Sequence, residues 1–389
     1  MMVSINYRIG SLGFLPSAET AAAGLLSLGF LDQVAAIEWV KEYIGYFGGD
    51  KDQVTLMGLS AGAHSVSFHM LDYKPDVKPL FHRVIMSSGS PTMGTCPPAS
   101  WPLYEEQYRA FLDRVDCPPG PGVWKCLRQA DIQTISGAQN YINYYYSLRG
   151  ALSFQPVLGG PLVPVVPSVA LKTGNFYKMP IIVGSVKDEG TRFVPQNLST
   201  NEEYRSFIKN LYPLLTEASL DKIVDLYPDP VTHPDSPYVS PFFAAQFERL
   251  QVAFGDSTFS CPAEEIAVRT SLYSPVWKYY FAQNSTYAPW LGIPHGADMN
   301  VQANEPGSGS PRVASVYNSW LTSFVATGDP NTFALKDVQG SRTPHWERYH
   351  EEKDVEMRMG PDGDLALEPK GQRKKECAFW RSIPNELNH

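Results

Sequence analysis

Ser60 stands in the pentapeptide Gly58-Leu59-Ser60-Ala61-Gly62, between the apolar run Val54-Thr55-Leu56-Met57 and a segment of helical pattern that begins at Ala61. A serine on such a strand-to-helix turn is suited to nucleophilic attack. The turn exposes its hydroxyl at the carboxyl end of a sheet, and glycines are expected on both sides because side chains there would collide. The same turn places the Ala61 N–H at a helix N-terminus, where it can donate to the oxyanion that develops on an attacked carbonyl. The chemistry implied is acyl transfer. The pentapeptide alone is a weak signal, and its strand and helix context gives it weight.

A serine nucleophile needs a base, and the base needs a carboxylate to set its tautomer. One recurring order along a chain is serine, then acid, then histidine. Two later apolar runs lead into loops that suit the second and third places. Residues 181–185 lead into Lys187-Asp188-Glu189-Gly190-Thr191, and residues 276–281 are followed by Pro294-His295-Gly296-Ala297-Asp298. Among the eight histidines, His295 alone follows the last of these runs in a loop hemmed by proline and glycine. His64 and His69 lie on the helix after Ser60 and read as packing or surface residues. Spacing does not choose between Asp188 and Glu189 as the acid.

The elements that must position these residues are short apolar runs alternating with helical patterns, an α/β arrangement with a mostly parallel sheet and helices on both faces. Buried strands are expected at residues 2–7, 54–57, 83–87, 181–185 and 276–281. Between the first two, Leu31, Val34, Ile37, Val40, Ile44 and Phe47 recur at helical spacing as an apolar face, and Gly48-Gly49 closes that helix. A second amphipathic helix is expected over residues 313–326, closed by Gly328-Asp329-Pro330. Two long insertions, residues 90–177 and 191–272, interrupt the rhythm. They are rich in proline and aromatics such as Tyr144-Tyr145-Tyr146 and Phe242-Phe243. Such residues either pack a core or roof an apolar pocket for an acyl or alcohol group.

With 389 residues, 43% hydrophobic and 19% charged, the chain can bury a sizeable core. A net charge of −8 supplies no basic patch for phosphate neutralisation, which argues against nucleic acid as a partner. No apolar run has the length of a membrane span. The first residues have neither the basic leader nor the cleavage site of a signal peptide. The five cysteines, Cys96, Cys117, Cys126, Cys261 and Cys377, form no CxxC pair, and no histidine cluster has zinc spacing, so no metal is expected. Their odd number fits two bridges and a free thiol, or five reduced thiols. Asn197-Leu198-Ser199 and Asn284-Ser285-Thr286 are acceptor sequons for N-glycosylation.

Taken together, the motifs make the chain resemble the type-B carboxylesterase family, which includes cholinesterases and fungal lipases. The matching stretches are Ser4-Ile5-Asn6-Tyr7-Arg8 with Gly13-Phe14-Leu15, Leu31-Asp32-Gln33, Phe47-Gly48-Gly49-Asp50, the serine motif with its strand, and Ser87-Ser88-Gly89-Ser90. Asp188-Glu189-Gly190-Thr191, His295-Gly296-Ala297-Asp298, Phe324, Gly328-Asp329-Pro330-Asn331 and Cys377-Ala378-Phe379-Trp380 complete the set. The resemblance runs the length of the chain and implies one α/β-hydrolase domain over residues 1–389. It implies Ser60 as nucleophile, Glu189 as acid and His295 as base, acting without cofactor on a small-molecule or lipid ester. It also implies the bridges Cys117–Cys126 and Cys261–Cys377, which leave Cys96 free and point to the secretory pathway. The oligomeric state is not implied. A non-catalytic binding protein on the same fold is the alternative from another class.

The chain departs from the family at two places. Most members carry Glu where this chain has Leu59, so help for a cationic substrate is absent and neutral esters are favoured. Family chains also begin upstream of residues 4–8. On that ground the expectation is a domain incomplete at its N-terminus, without its first strands and its glycine-rich oxyanion loop, and either weakly active or an inactive fragment.

Overall fold

The computed structural model describes residues 1–147, 153–283, 287–303, 309–369 and 373–389. Its main sheet has six strands in the order β1 (Thr55–Leu59), β2 (Arg83–Ser87), β3 (Ile181–Val186), β4 (Val276–Phe281), β7 (Val355–Met359) and β8 (Leu365–Pro369). A small hairpin, β5 (Asp337–Val338) and β6 (Ser341–Arg342), stands apart from it. β1 to β4 and β7 pair in parallel, and β8 turns back antiparallel on β7. Strands buried on both faces read as continuous apolar runs, which is why β2, β3 and β4 lie where the sequence places them.

Alternation along these strands builds two cores. Val84, Met86, Ile181, Val183 and Val276 face the helices Ala61–Leu71 and Cys261–Ser271. Ile85, Ile182, Trp277, Tyr279 and Met357 face the helix Pro311–Thr327. That helix ends at Gly328, whose φ of +81° is easily reached by glycine. A third cluster joins the second insertion to the C-terminal segment and includes Phe254, Phe259 and Cys261 with Cys377 and Trp380. The aromatic residues of the first insertion divide. Tyr146 is buried in the first core and Tyr144 is exposed.

Two expectations are corrected. Residues 2–7 form no strand, and Met2, Val3 and Ile5 are 88%, 43% and 41% exposed. An apolar run becomes a strand only when another strand accepts its backbone bonds, and none is paired with this one. β1 is accordingly the edge of the sheet, with Met57 45% exposed. The expected apolar face of the helix Leu28–Tyr43 and the turn after it is buried only in part. Ile37 and Ile44 are buried and Val34 packs against the first core, beside Phe30 and Gln33, whereas Leu31 and Phe47 are exposed and Trp39, Tyr43 and Phe47 stack on the outside. Apolar residues also lie off that face, so periodicity alone does not fix every inward position. Polar contacts of Gln33 with Ser65 and His69 mark the side that docks.

Candidate active site

Ser60 follows β1 directly and precedes the helix Ala61–Leu71, with φ +57° and ψ −124°. A non-glycine residue at positive φ is strained, and the surroundings hold it there. The Ser60 N–H donates to Ser87 O at 2.9 Å, and Ser60 O accepts from His64 N at 2.9 Å. A β-carbon on Gly58 would lie 2.2 Å from the carbonyl carbon of Gly62, so no side chain fits at 58. One on Gly62 would meet nothing within 4 Å. The expectation of steric need on both sides is therefore corrected: only Gly58 meets backbone. Ala61 opens the helix on the exposed side, and its N–H belongs to the first turn, which has no intrahelical acceptor.

Glu189 opens a short 3₁₀ turn, Glu189–Arg192, just beyond β3 and is 1% exposed. Its Oε1 accepts from the Val186 N–H at 2.8 Å, which fixes the carboxylate plane. Its Oε2 lies 2.6 Å from His295 Nδ1. His295 is enclosed by the rings of Phe259 and Phe193, at centroid distances of 4.4 and 5.2 Å. Its Nε2 is buried and has no hydrogen-bond partner among the described residues. The two loops meet again on the other side, where Leu59 Cδ2 would lie 3.4 Å from a β-carbon on Gly296. Residues flanking the serine and the histidine are thus in contact. Glu189 Oε2 faces Nδ1 of the imidazole, and Nε2 is the ring nitrogen without a partner among the described residues.

Asp188 does not compete for the imidazole. Its Oδ2 accepts from the Ile293 N–H at 2.8 Å, in the loop ahead of His295. Asp298, three residues beyond His295, is wholly buried, and its Oδ2 accepts from Tyr279 OH at 2.6 Å. Burial pushes its carboxyl up to about 6. The Gln302 amide lies 3.3 Å from that carboxylate and 3.2 Å from Ser87 Oγ, which links the Asp298 helix to the strand behind Ser60. Sequence reasoning weighed Asp188 only as the alternative acid and assigned no role to Asp298, Phe193 or Phe259. Their proximity to the quoted motifs was the available signal. His64 and His69 are core residues. Burial lowers them to about 3 and about 4, and His64 stacks on Phe68 at 4.5 Å.

Cys117 and Cys126 are bridged with Cα atoms 5.7 Å apart, Cys261 and Cys377 with Cα atoms 4.7 Å apart, and Cys96 is a buried free thiol. The first bridge closes a short loop in the first insertion, and the second ties the C-terminal helix Lys374–Ser382 to the helix that starts at Cys261. Asn197 is exposed, as a glycan acceptor must be. Asn284 lies outside the described residues.

Residues 1–380 match the carboxylesterase family. Secreted lipase 4 of Gibberella zeae is 37% identical over 388 residues, which cover 98% of this chain and 69% of that protein. Lipase 1 of Geotrichum candidum is 30% identical over 364 residues, 90% of this chain and 62% of its own length. Acetylcholinesterase 1 of Caenorhabditis briggsae is 30% identical over 427 residues, 99% of this chain and 66% of its own. The crystal structure of Aspergillus niger EstA is similar with a TM-score of 0.85 at 30% identity, over 99% of this chain and 74% of that one. The chain spans about two thirds of the length of these curated relatives.

Proposed function

This chain belongs to the carboxylesterase family, with the α/β-hydrolase fold, and on that premise we propose that it hydrolyses neutral carboxylic esters through an acyl-enzyme on Ser60. Ser60 Oγ attacks the ester carbonyl as His295 Nε2 takes its proton. Glu189 holds the Nδ1–H side of the ring and stabilises the imidazolium. The Ala61 N–H donates to the oxyanion. Collapse of the tetrahedral intermediate returns the proton from Nε2 to the departing alcohol, and water repeats the sequence to release the acid. Nucleophilic attack, proton transfer and oxyanion stabilisation are all supplied by the chain's own side chains and backbone, so the mechanism calls for no cofactor.

The observation that carries the reading is the 2.6 Å contact of His295 Nδ1 with Glu189 Oε2, with Nε2 left buried and without a protein partner. The neutral-ester preference rests on Leu59, an apolar side chain turned towards Gly296 where a carboxylate would favour a cationic alcohol. We read residues 1–389 as one domain, because the sheet gathers strands from Thr55 to Pro369.

Passage through the secretory pathway, with a glycan on Asn197, is part of the proposal. Two disulfides support it, as does the naming of the Gibberella zeae and Botryotinia fuckeliana relatives as secreted lipases. No helix among the described residues is long and apolar enough to cross a membrane. The test is hydrolysis of short-chain aryl esters by the chain beside Ser60→Ala, with mass-spectrometric mapping of an organophosphonate adduct. Label on Ser60 and turnover lost in Ser60→Ala are expected. Turnover that survives Ser60→Ala would overturn the reading.

A further inference from the structure

β3 and β4 run side by side in register from Ile181 with Val276 to Val186 with Phe281. Beyond them the two chains part. Glu189 comes at once after β3, whereas His295 arrives only after the turn Pro289–Leu291 has carried the chain away and back. One isolated parallel bridge, Asp188 with Pro294, then sets Glu189 beside His295. Side-chain contacts must hold the returning loop at that bridge.

Asp188 does so through both of its arms. Its N–H donates to Ile293 O at 3.0 Å, and its Oδ2 accepts from the Ile293 N–H at 2.8 Å, so both backbone groups of Ile293 are held by one residue. Thr191 Oγ1 donates from the same turn to Leu291 O at 3.1 Å. Gly292, between these anchors, has φ +59° and ψ −125°. A β-carbon there would lie 2.2 Å from Asp188 Oδ2, so the carboxylate approaches only because residue 292 is glycine. On the far side the Glu189 turn is seated against the helix Phe247–Gly255. A β-carbon on Gly190 would lie 2.0 Å from Gln251 O, and one on Gly255 would lie 3.1 Å from Glu189 Cβ.

We infer that Asp188 is a positioning residue for the ester hydrolysis: its carboxylate clamps Ile293 and thereby holds His295 against Glu189. This rests on the Ser60–Glu189–His295 reading above. What the clamp requires is an oxygen acceptor for the Ile293 N–H, not a charge. Burial favours the protonated form of Asp188, as does the neighbouring Glu189 charge, while the Ile293 N–H and Lys187 oppose it. An amide oxygen at the same place satisfies the clamp. A side chain without an acceptor leaves the Ile293 N–H orphaned and the loop free to shift. Misplacement of a catalytic group by about 1 Å costs on the order of 10²-fold in rate.

The test compares Asp188→Asn and Asp188→Ala in the full chain by two readouts. One is kcat and KM for an aryl acetate. The other is the downfield proton resonance of His295 Nδ1–H, identified by its loss in His295→Ala. Asp188→Ala is expected to lower kcat roughly 10- to 100-fold with KM within about twofold, and to shift or abolish the resonance. Asp188→Asn is expected to keep kcat within about threefold and to retain the resonance. If Asp188→Ala does not fold, Thr191→Val removes the second anchor and is expected to move the resonance in the same direction, with a several-fold loss in kcat.

The inference is overturned if Asp188→Ala leaves kcat and resonance unchanged, or if Asp188→Asn is as impaired as Asp188→Ala. Where Thr191→Val is the variant that folds, an unmoved resonance overturns it. Failure of the underlying reading looks different: the unmodified chain then shows no turnover that depends on Ser60, while the His295 resonance still reports on the clamp.

Discussion

Leu59 packs against Gly296: its Cδ2 atom would be 3.4 Å from a β-carbon at that position. The residue before Ser60 thus approaches the residue after His295, with an apolar side chain turned towards it. Leu59→Glu places a carboxylate there in place of an apolar side chain. Two effects are expected: a loss of about 1–3 kcal/mol in stability by urea denaturation, and a rise in kcat/KM for a choline ester relative to its neutral isostere. Unchanged stability with an unchanged substrate ratio would show that position 59 does not set the electrostatics of the rim.

The two glycines of the elbow should respond in opposite ways. Gly58→Ala drives a β-carbon into the backbone of Gly62, which cannot yield without moving Ser60, and a loss of at least about 3 kcal/mol is expected. Gly62→Ala meets nothing within 4 Å and lies in the first turn of a helix, so stability should hold or rise by a few tenths of a kcal/mol. Denaturant midpoints of the two variants decide the matter. Equal losses would refute the asymmetry.

Glu189→Gln keeps an oxygen for the Val186 N–H but removes the charge that fixes the imidazole tautomer and stabilises the imidazolium. We expect kcat to fall about 10³- to 10⁴-fold, with KM little changed and a melting temperature close to that of the parent. A fall of less than tenfold would exclude Glu189 as the orienting acid.

Asp298 makes a pH prediction with a definite sign. Its folded-state carboxyl, pushed up to about 6, binds a proton that the unfolded chain releases near 4. Stability from this residue is therefore present at low pH, is lost as pH rises from about 4 to 6, and is level above that. Against Asp298→Asn, which has no such titration, the parent should lose on the order of 3 kcal/mol across that window. Parallel stability curves for the two proteins would refute it.

Cys261–Cys377 closes a loop of 116 residues and Cys117–Cys126 one of 9. If the bridges act mainly on the unfolded chain, their loss should cost up to about 5 and about 2.5 kcal/mol respectively. Paired Cys→Ser variants, compared by urea denaturation, test that order. A larger loss from the short bridge would point to contacts in the folded state instead.

Much of this molecule was legible in its letters, for physical reasons. β2, β3 and β4 carry apolar side chains to both faces of the sheet, with Lys278 the one charged residue inside β4, so they read as short apolar runs. The loop of Asp188 and Glu189 follows β3 directly, Ser60 follows the edge strand β1 directly, and His295 comes after β4 by way of the turn Pro289–Leu291. β7 and β8 were missed because charged residues interrupt them. Glu356 is buried against Lys278 at 2.9 Å, and Arg358 pairs with Asp364 and Glu368, so the burial of polar letters is compensated by partners far along the chain or on the neighbouring strand.

The sequence by itself placed four of the six strands of the main sheet, the elbow at Ser60 and the short set of residues able to act with it. It could not decide which carboxylate meets the imidazole, because Asp188 and Glu189 are adjacent and chemically alike. The fold separates them: Glu189 Oε2 reaches His295 Nδ1, and Asp188 Oδ2 reaches the Ile293 N–H. That difference is one of side-chain direction at a turn held between Gly190 and Gly292, and direction exists only once the packed partners are present.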